Sequence, residues 1–398
     1  MKSMNGIKKN IHKNTDVIAV GVFMLLCFAY VMFGIADDSD LPAHARGAQM
    51  MLKENRLFEN NFLMYLLANV LSFFSGALFP IQCAIVVLIA ASNTAKYVLM
   101  KNEFCRMVNV KHAMVASAAL LFVFVIPVFY FLKVFGVFLE TNNMYFQYYV
   151  PNVWHNSTIL CMMPFAIVTF LLSIRQFEQY DKKRNGLIVL FVVLCTLVKP
   201  SFFFCYALAF PIIMFVRYRF GKEFFCSLLP VLIGCVCVLY EFLTIYDGGD
   251  GNGVSIDVLS LFTLDFWKSR ILYFAVSMAL PTLFVVFYYK EIYGDREFWF
   301  VLIMLVVALG IVWCCHETGT RASHGNFSWQ VISAMWFVYY YILKTVLKSH
   351  KSIQYGGASE SCNKRRIRVN KCFLVLYGIH VVMGLLYLIK YFVTKDMA

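Results

Sequence analysis

Eleven stretches of this chain are apolar for roughly 12 to 22 residues each, a length range that brackets what a bilayer span requires. That repetition limits the possible folds more than any motif does. The stretches lie at 17–35, 79–100, 113–132, 158–174, 187–198, 202–216, 227–246, 271–289, 298–315, 329–343 and 372–393. Within hydrocarbon every main-chain polar group needs an internal partner, which a helix supplies. The pattern predicts an all-α, polytopic membrane protein: one integral domain over 1–398 with about eleven transmembrane helices. The chain is 61% hydrophobic, well above the ~45–50% of soluble domains. Its N-terminus is basic and then apolar, like a signal peptide. No small-residue cleavage site follows, so the first run reads as a retained helix.

Two places leave the path of the chain open. Lys199-Pro200-Ser201 separates two short runs. It is either a tight turn at the membrane surface or a break within one helix. Segment 61–76 is either a further span or an amphipathic helix lying flat beside the membrane. Charge decides the second case. If 61–76 lies flat, one face of the membrane receives 25 basic and 9 acidic residues, net +16. The other receives 10 and 13, net −3. If it crosses, every later loop changes sides and the bias collapses. The positive-inside rule then places the N-terminus in the cytoplasm and the C-terminus outside. The net charge of +13 is thus an orientation signal, and nucleic-acid binding drops out. Residues 36–78 become the first outer loop with its interfacial helices. Residues 344–371 become a basic cytoplasmic loop that can rest on anionic lipid head groups. Thirteen Cys are scattered, mostly within apolar runs and without a CxxC pair, and read as small buried hydrophobes.

With that topology the unusual polar residues all fall on the outer face. Asp37, Asp38 and Asp40 precede His44 in the first outer loop. Asp40 with Pro42 can open a short helix, which puts His44 one turn further on the same face. His155 and Asn156 lead into the fourth run, Lys199 lies between the two short runs, and Glu317, Arg321, His324, Asn326 and Trp329 lead into the tenth. A glycine-rich loop at 247–257 resembles a calcium loop only loosely, lacking its ligand spacing. Ionisable groups near bilayer depth are costly, and function is the default explanation for them. A carboxylate at Asp40 can take a proton from a hydroxyl, with His44 orienting it and Asp38 as the rival acid. Lys199, Arg321 and His324 suit a phosphate. His155, Asn156, Glu317, Asn326 and Trp329 are candidates to contact substrate, although His155 and Asn156 can equally cap or join helices. Glu241 stands isolated inside the seventh run.

The order of a short first helix, an outer loop with Asp40, an Ala-rich helix carrying His44, Ala48 and Met51, and then a flat helix at 61–76 resembles the GT-C superfamily of polytopic glycosyltransferases. The resemblance covers roughly the first hundred residues and the topology. It implies transfer of a sugar from a polyprenyl-phosphate donor to a glycan or lipid acceptor at the outer face of a bacterial cell membrane. Asp40 would be the base, or the acid beside a divalent cation. No cofactor is otherwise called for. Two rivals remain: a polymerase or ligase of lipid-linked polysaccharide units, and a transporter or flippase of lipid-linked sugars. The transporter predicts duplicated halves and acids near the midplane of several spans.

Overall fold

The computed structural model describes residues 14–34, 40–54, 61–125, 148–245, 253–319, 325–355 and 360–394. Almost all of them are helical. In chain order the helices are α1 (Thr15–Gly34), α2 (Asp40–Lys53), α3 (Phe62–Leu71), α4 (Leu78–Phe104), α5 (Val110–Phe122), α6 (Ser157–Glu178) and α7 (Lys182–Val198). Then come α8 (Ser201–Tyr218), α9 (Lys222–Ser227), α10 (Leu229–Ile245), α11 (Leu264–Ile292), α12 (Arg296–Cys314), α13 (Trp329–Tyr355) and α14 (Glu360–Thr394). Among the described residues, nine helical segments are long and apolar enough to cross a membrane. Leu26, Phe33, Leu232, Val236, Val286 and Val393 keep most of their surface exposed. Apolar exposure on this scale marks a lipid-facing surface, so the chain is an integral membrane protein.

The helices run back and forth between two ends. Asp16, in the first turn of α1, accepts hydrogen bonds from Tyr97 (2.5 Å) and Lys101 (2.6 Å) near the end of α4. These two helices are therefore antiparallel. Tyr218, at the end of α8, donates to the Gln176 carbonyl near the end of α6 at 3.0 Å. Those two run the same way, and α7 returns between them. Lys199 and Pro200 therefore form a turn, and the broken-helix alternative falls. We call the end holding Gly34, Ser157, Lys199 and Trp329 the upper end, and the end holding Phe104, Glu178 and Arg296 the lower end.

Helix α3 has 10 residues, or about 15 Å, half of the ~30 Å hydrocarbon core. It does not cross. Asn69 on α3 donates to the Ala48 carbonyl of α2 at 2.9 Å, and Gln49 of α2 donates to Gly76 at 2.8 Å. The pair packs as one unit against α4. Leu41, Ala45 and Ala48 of α2 are buried at helical spacing, while Phe73 and Phe74 beyond α3 are exposed.

Four features depart from the sequence expectations. The fold is not purely helical, because β1 (Gly253–Ile256) pairs antiparallel with β2 (Cys315–Thr318), Val254 opposite Glu317. Four-residue strands leave no trace in a pattern of 20-residue runs. The expected loop 344–371 is helical up to Tyr355 and again from Glu360, since Lys, Arg and Glu are good helix formers. Of the run 113–132 the described part is helical to Phe122, and 123–125 are not helical. Lastly, the expected surface loop 148–156 is buried within the bundle without being helical.

Non-helical backbone at membrane depth survives only where protein groups satisfy it, and here they do. Asn152 donates to the carbonyls of Leu120 (3.1 Å) and Val123 (2.8 Å). Lys96 donates to Asn152 Oδ1 at 2.7 Å, and its ammonium lies 4.9 Å from the centre of the Trp336 ring. Ser277 donates to the Tyr148 carbonyl at 2.5 Å, and His380 to the Phe124 carbonyl at 2.8 Å. Gly384 is required on α14, because a Cβ there would strike the Phe122 carbonyl. Lys96 lies eight residues, about 12 Å, above the lower end of α4.

Replacing Asn152 with Leu strips the acceptor from Lys96 and the side-chain donor from the Val123 carbonyl, each loss costing about 1–3 kcal/mol, while the Leu120 carbonyl keeps the Trp336 indole N–H. The variant is expected to unfold at clearly lower temperature in detergent, as followed by size-exclusion thermal scans. An unchanged midpoint would mean that this side chain does not hold 148–156.

Candidate functional site

The upper end of α6 gathers side chains from four elements. Asp40 is the first residue of α2, and Pro42 sits in that first turn, where its missing N–H removes no helical bond. Asn156 is the N-cap of α6 and accepts from the Ile159 N–H at 2.9 Å through its side-chain oxygen. Lys199 is the C-cap of α7, and α8 starts two residues later. Trp329 opens α13 after a 3₁₀ turn over Asn326–Ser328.

A hydrogen-bonded chain joins them. The Lys199 ammonium donates to Thr158 Oγ1 at 3.1 Å. Thr158 donates to Asn156 Oδ1 at 2.8 Å, and Asn156 Nδ2 donates to the Asp40 carboxylate at 2.7 Å. A cation and an anion thus occupy the two ends of a fixed polar path. The Lys199 ammonium also lies 5.0 Å from the centre of the Trp329 ring, within cation–π range. The His155 and Trp329 rings are 5.9 Å apart. His44 shares a 3.0 Å hydrogen bond with Tyr65 of α3. Gly47 is needed beside it, because a Cβ would come within 2.8 Å of the Tyr65 ring.

Burial pushes the His44 imidazole down to about 4; Asp40 opposes the shift and Lys199 adds to it. His155 is also pushed down to about 4, by burial first, with the same two neighbours acting in the same senses. Both rings are therefore neutral at pH 7. The N-terminal ends of α6, α8 and α13 all open beside Lys199. A helix N-terminus carries a partial positive charge, a setting that favours an anion.

Of the residues singled out in the sequence, the structure brings Asp40, His44, His155, Asn156, Lys199 and Trp329 together. Glu317 and Asn326 bond each other, Asn326 Nδ2 donating to the Glu317 carboxylate at 2.7 Å. That pair lies at the edge of the cluster, between β2 and α13. Asp38, Arg321, His324 and the glycine-rich residues 247–252 lie outside the described residues. Two participants, Tyr65 and Thr158, go unremarked in the sequence, and a third, Glu241, stands out there only as an isolated acid. Tyr65 and Thr158 are ordinary residues in apolar surroundings and give no local signal. Glu241 of α10 is buried and within electrostatic reach of Lys199, and its Oε1 has no hydrogen-bond partner among the described residues. Its isolation in an apolar run is the signal that could have placed it here. Among the described residues, no group of three or more His, Cys, Asp or Glu comes together to hold a metal ion.

Compared with known families and with curated proteins, the chain matches no family model and no curated sequence.

The two histidines make stability depend on pH. Their folded-state values near 4 lie below the ordinary ~6.5, so the unfolded chain binds more protons between those limits. Their contribution is complete above pH 6.5 and falls away as pH drops toward 4. The midpoint of thermal unfolding is expected to decline over that window. His155→Gln should flatten the decline, and an identical slope in the variant would contradict the assignment.

Proposed function

We propose that the protein is a membrane glycosyltransferase of the GT-C type, moving a sugar from a polyprenyl-phosphate donor to a cell-envelope glycan or lipid acceptor. The observation that carries this reading is the hydrogen-bonded chain from Lys199 through Thr158 and Asn156 to Asp40. It holds a base and a phosphate-binding cation on one path, at an end of the bundle where three helix N-termini also open. The proposal counts α5 and α7 as crossings as well, eleven in all. It puts the arginine- and lysine-rich lower end in the cytoplasm and the Asp40 site at the outer face.

In this mechanism the acceptor hydroxyl oxygen attacks the anomeric carbon of the donor sugar. Its proton passes to the Asp40 carboxylate. The bond between that carbon and the phosphate oxygen breaks, and its electron pair leaves with the lipid phosphate. The new charge on the phosphate is met by Lys199 and by the N-terminal ends of α6, α8 and α13. A single displacement of this kind inverts the anomeric centre. Asn156 aims the carboxylate, and the neutral His44 and His155 leave Asp40 free to accept the proton. Glu241 offers a buried acceptor for a sugar hydroxyl.

The packing beneath the site favours an enzyme over a transporter. Phe170 stacks on Phe337 at 4.3 Å and on Phe300 at 5.2 Å, and Phe202 lies 5.6 Å from Phe337. Trp336 stacks on Tyr340 at 6.1 Å. All six rings are buried, and they fill the bundle between its two ends. A polymerase or ligase would share the outer site and differ in its acceptor, a second lipid-linked glycan.

The test is turnover of a panel of polyprenyl-phosphate sugars by purified wild type and Asp40→Asn. Loss of a general base is expected to lower the rate about 10²–10⁴-fold, and Lys199→Met should also lose rate. Equal turnover in Asp40→Asn removes Asp40 from the mechanism. Absence of turnover with every donor in wild type, together with movement of labelled lipid-linked sugar across proteoliposomes, would replace the reading with the transporter.

A further inference from the structure

The lower end of the bundle holds a cleft of about 900 Å³. Three helices that contribute to the Asp40 site, α6, α7 and α13, also line this cleft, each through its opposite end. Arg175 and Glu178 come from the end of α6, Arg184 from the start of α7, Asp295, Arg296 and Glu297 from the start of α12, and Lys344 and Lys348 from the lower half of α13. Helix α6 alone has 22 residues, about 33 Å. The cleft and the Asp40 site are therefore separate, with the aromatic layer between them.

The charges in the cleft are unequally partnered. Lys344 sits between Glu297 (2.8 Å) and Glu103 (3.4 Å), and Arg106 also pairs with Glu103 at 2.9 Å. Glu291 pairs with Arg366. Asp295 accepts from Tyr341 at 2.8 Å and from the Glu297 N–H at 2.9 Å. Four of the five acids in the wall are thereby engaged, and Glu178 is the remaining one. Arg184 is held in place by donating to the main-chain carbonyls of Arg175 and Gln179, both at 2.8 Å. The side chains of Arg175, Arg296 and Lys348 have no hydrogen-bond or ion-pair partner among the described residues. Arg175 is half-buried and Arg296 and Lys348 are exposed, and all three line a concavity in which four of the five acids already have partners; its size is that of a small-molecule site.

We propose that this cleft is a second binding site, for a ligand bearing a phosphate or pyrophosphate group that Arg175, Arg296 and Lys348 hold. Guanidinium groups match phosphate oxygens in a fork and the ammonium adds a point charge. The same chemistry is presented by the head group of an anionic membrane lipid and by a soluble phosphorylated compound. The site stands whether or not the Asp40 end transfers sugars.

The experiment measures equilibrium binding of radiolabelled inorganic pyrophosphate to the purified full-length protein, and mass spectrometry of the phospholipid that remains bound to it. Wild type is compared with the triple variant Arg175→Gln/Arg296→Gln/Lys348→Gln and with Lys199→Gln, which alters only the upper end. Loss of three charged partners from a phosphate is expected to weaken binding about tenfold or more. Pyrophosphate affinity that falls in the triple variant, holds in Lys199→Gln and is unaffected by phosphatidylglycerol nanodiscs identifies a soluble phosphate ligand. Retained phosphatidylglycerol that falls in the triple variant, with pyrophosphate binding weakened in phosphatidylglycerol nanodiscs relative to phosphatidylcholine, identifies a lipid head group. Binding of both that the triple variant leaves unchanged overturns the proposal, as does pyrophosphate binding lost only in Lys199→Gln. Should the triple variant fail to fold, Arg175→Gln and Arg296→Gln singly provide the same comparison.

Discussion

The upper half of the molecule depends on the side chain of Asn156. It caps α6, accepts a hydrogen bond from Thr158 and donates one to Asp40, so its two polar atoms are both engaged. Through Thr158 it also reaches the ammonium of Lys199. Three segments far apart in the chain are thereby fixed in one geometry. An amide is suited to this place because it donates to a carboxylate and accepts from a hydroxyl at once. A carboxylate in its position would repel Asp40, and a hydrophobe would leave the path broken.

Asn156 can take that position because the backbone just before it is held inside the bundle. Segment 148–156 is buried without helical bonds, and the cost is offset by donors from elsewhere. Lys96 engages Asn152, Asn152 engages two carbonyls at the end of α5, and Ser277 engages Tyr148. A buried lysine with no carboxylate partner in any described contact is costly in a membrane protein. Here its charge is met by an amide oxygen and an aromatic face. The site and this buried segment are thus one construction, because loosening Asn152 would move His155 and Asn156 with it.

Much of the architecture was legible beforehand, and the reasons are local. The apolar runs mark helices because bilayer thickness imposes a length. The lopsided distribution of Lys and Arg favours a flat helix over a span at 61–76, where the structure has a helix of 10 residues. The site was legible only as a set of residue types on a shared face. Asp40, His155, Asn156 and Lys199 could be named from their polarity, but Tyr65 and Thr158 could not, since nothing distinguishes them from core residues. Within the run 113–132, residues 123–125 depart from the helical expectation for a physical reason: hydropathy reports burial, and these three are buried without being helical. The loop 344–371 misled in the opposite sense, because polar residues that form helices well continue a helix beyond the membrane.

What the sequence by itself determined is that the chain is built of apolar helices in series, and the unequal charge of the two ends. Both follow from transfer of side chains between water and lipid, which each segment experiences nearly independently of the others. What only the tertiary structure decided is which polar groups meet. Asp40 and Asn156 are 116 positions apart, and Lys199 reaches Thr158 across 41. Hydrogen bonds are directional and act over about 3 Å, so their pairing depends on how helices pack at that scale, and no single segment carries that information.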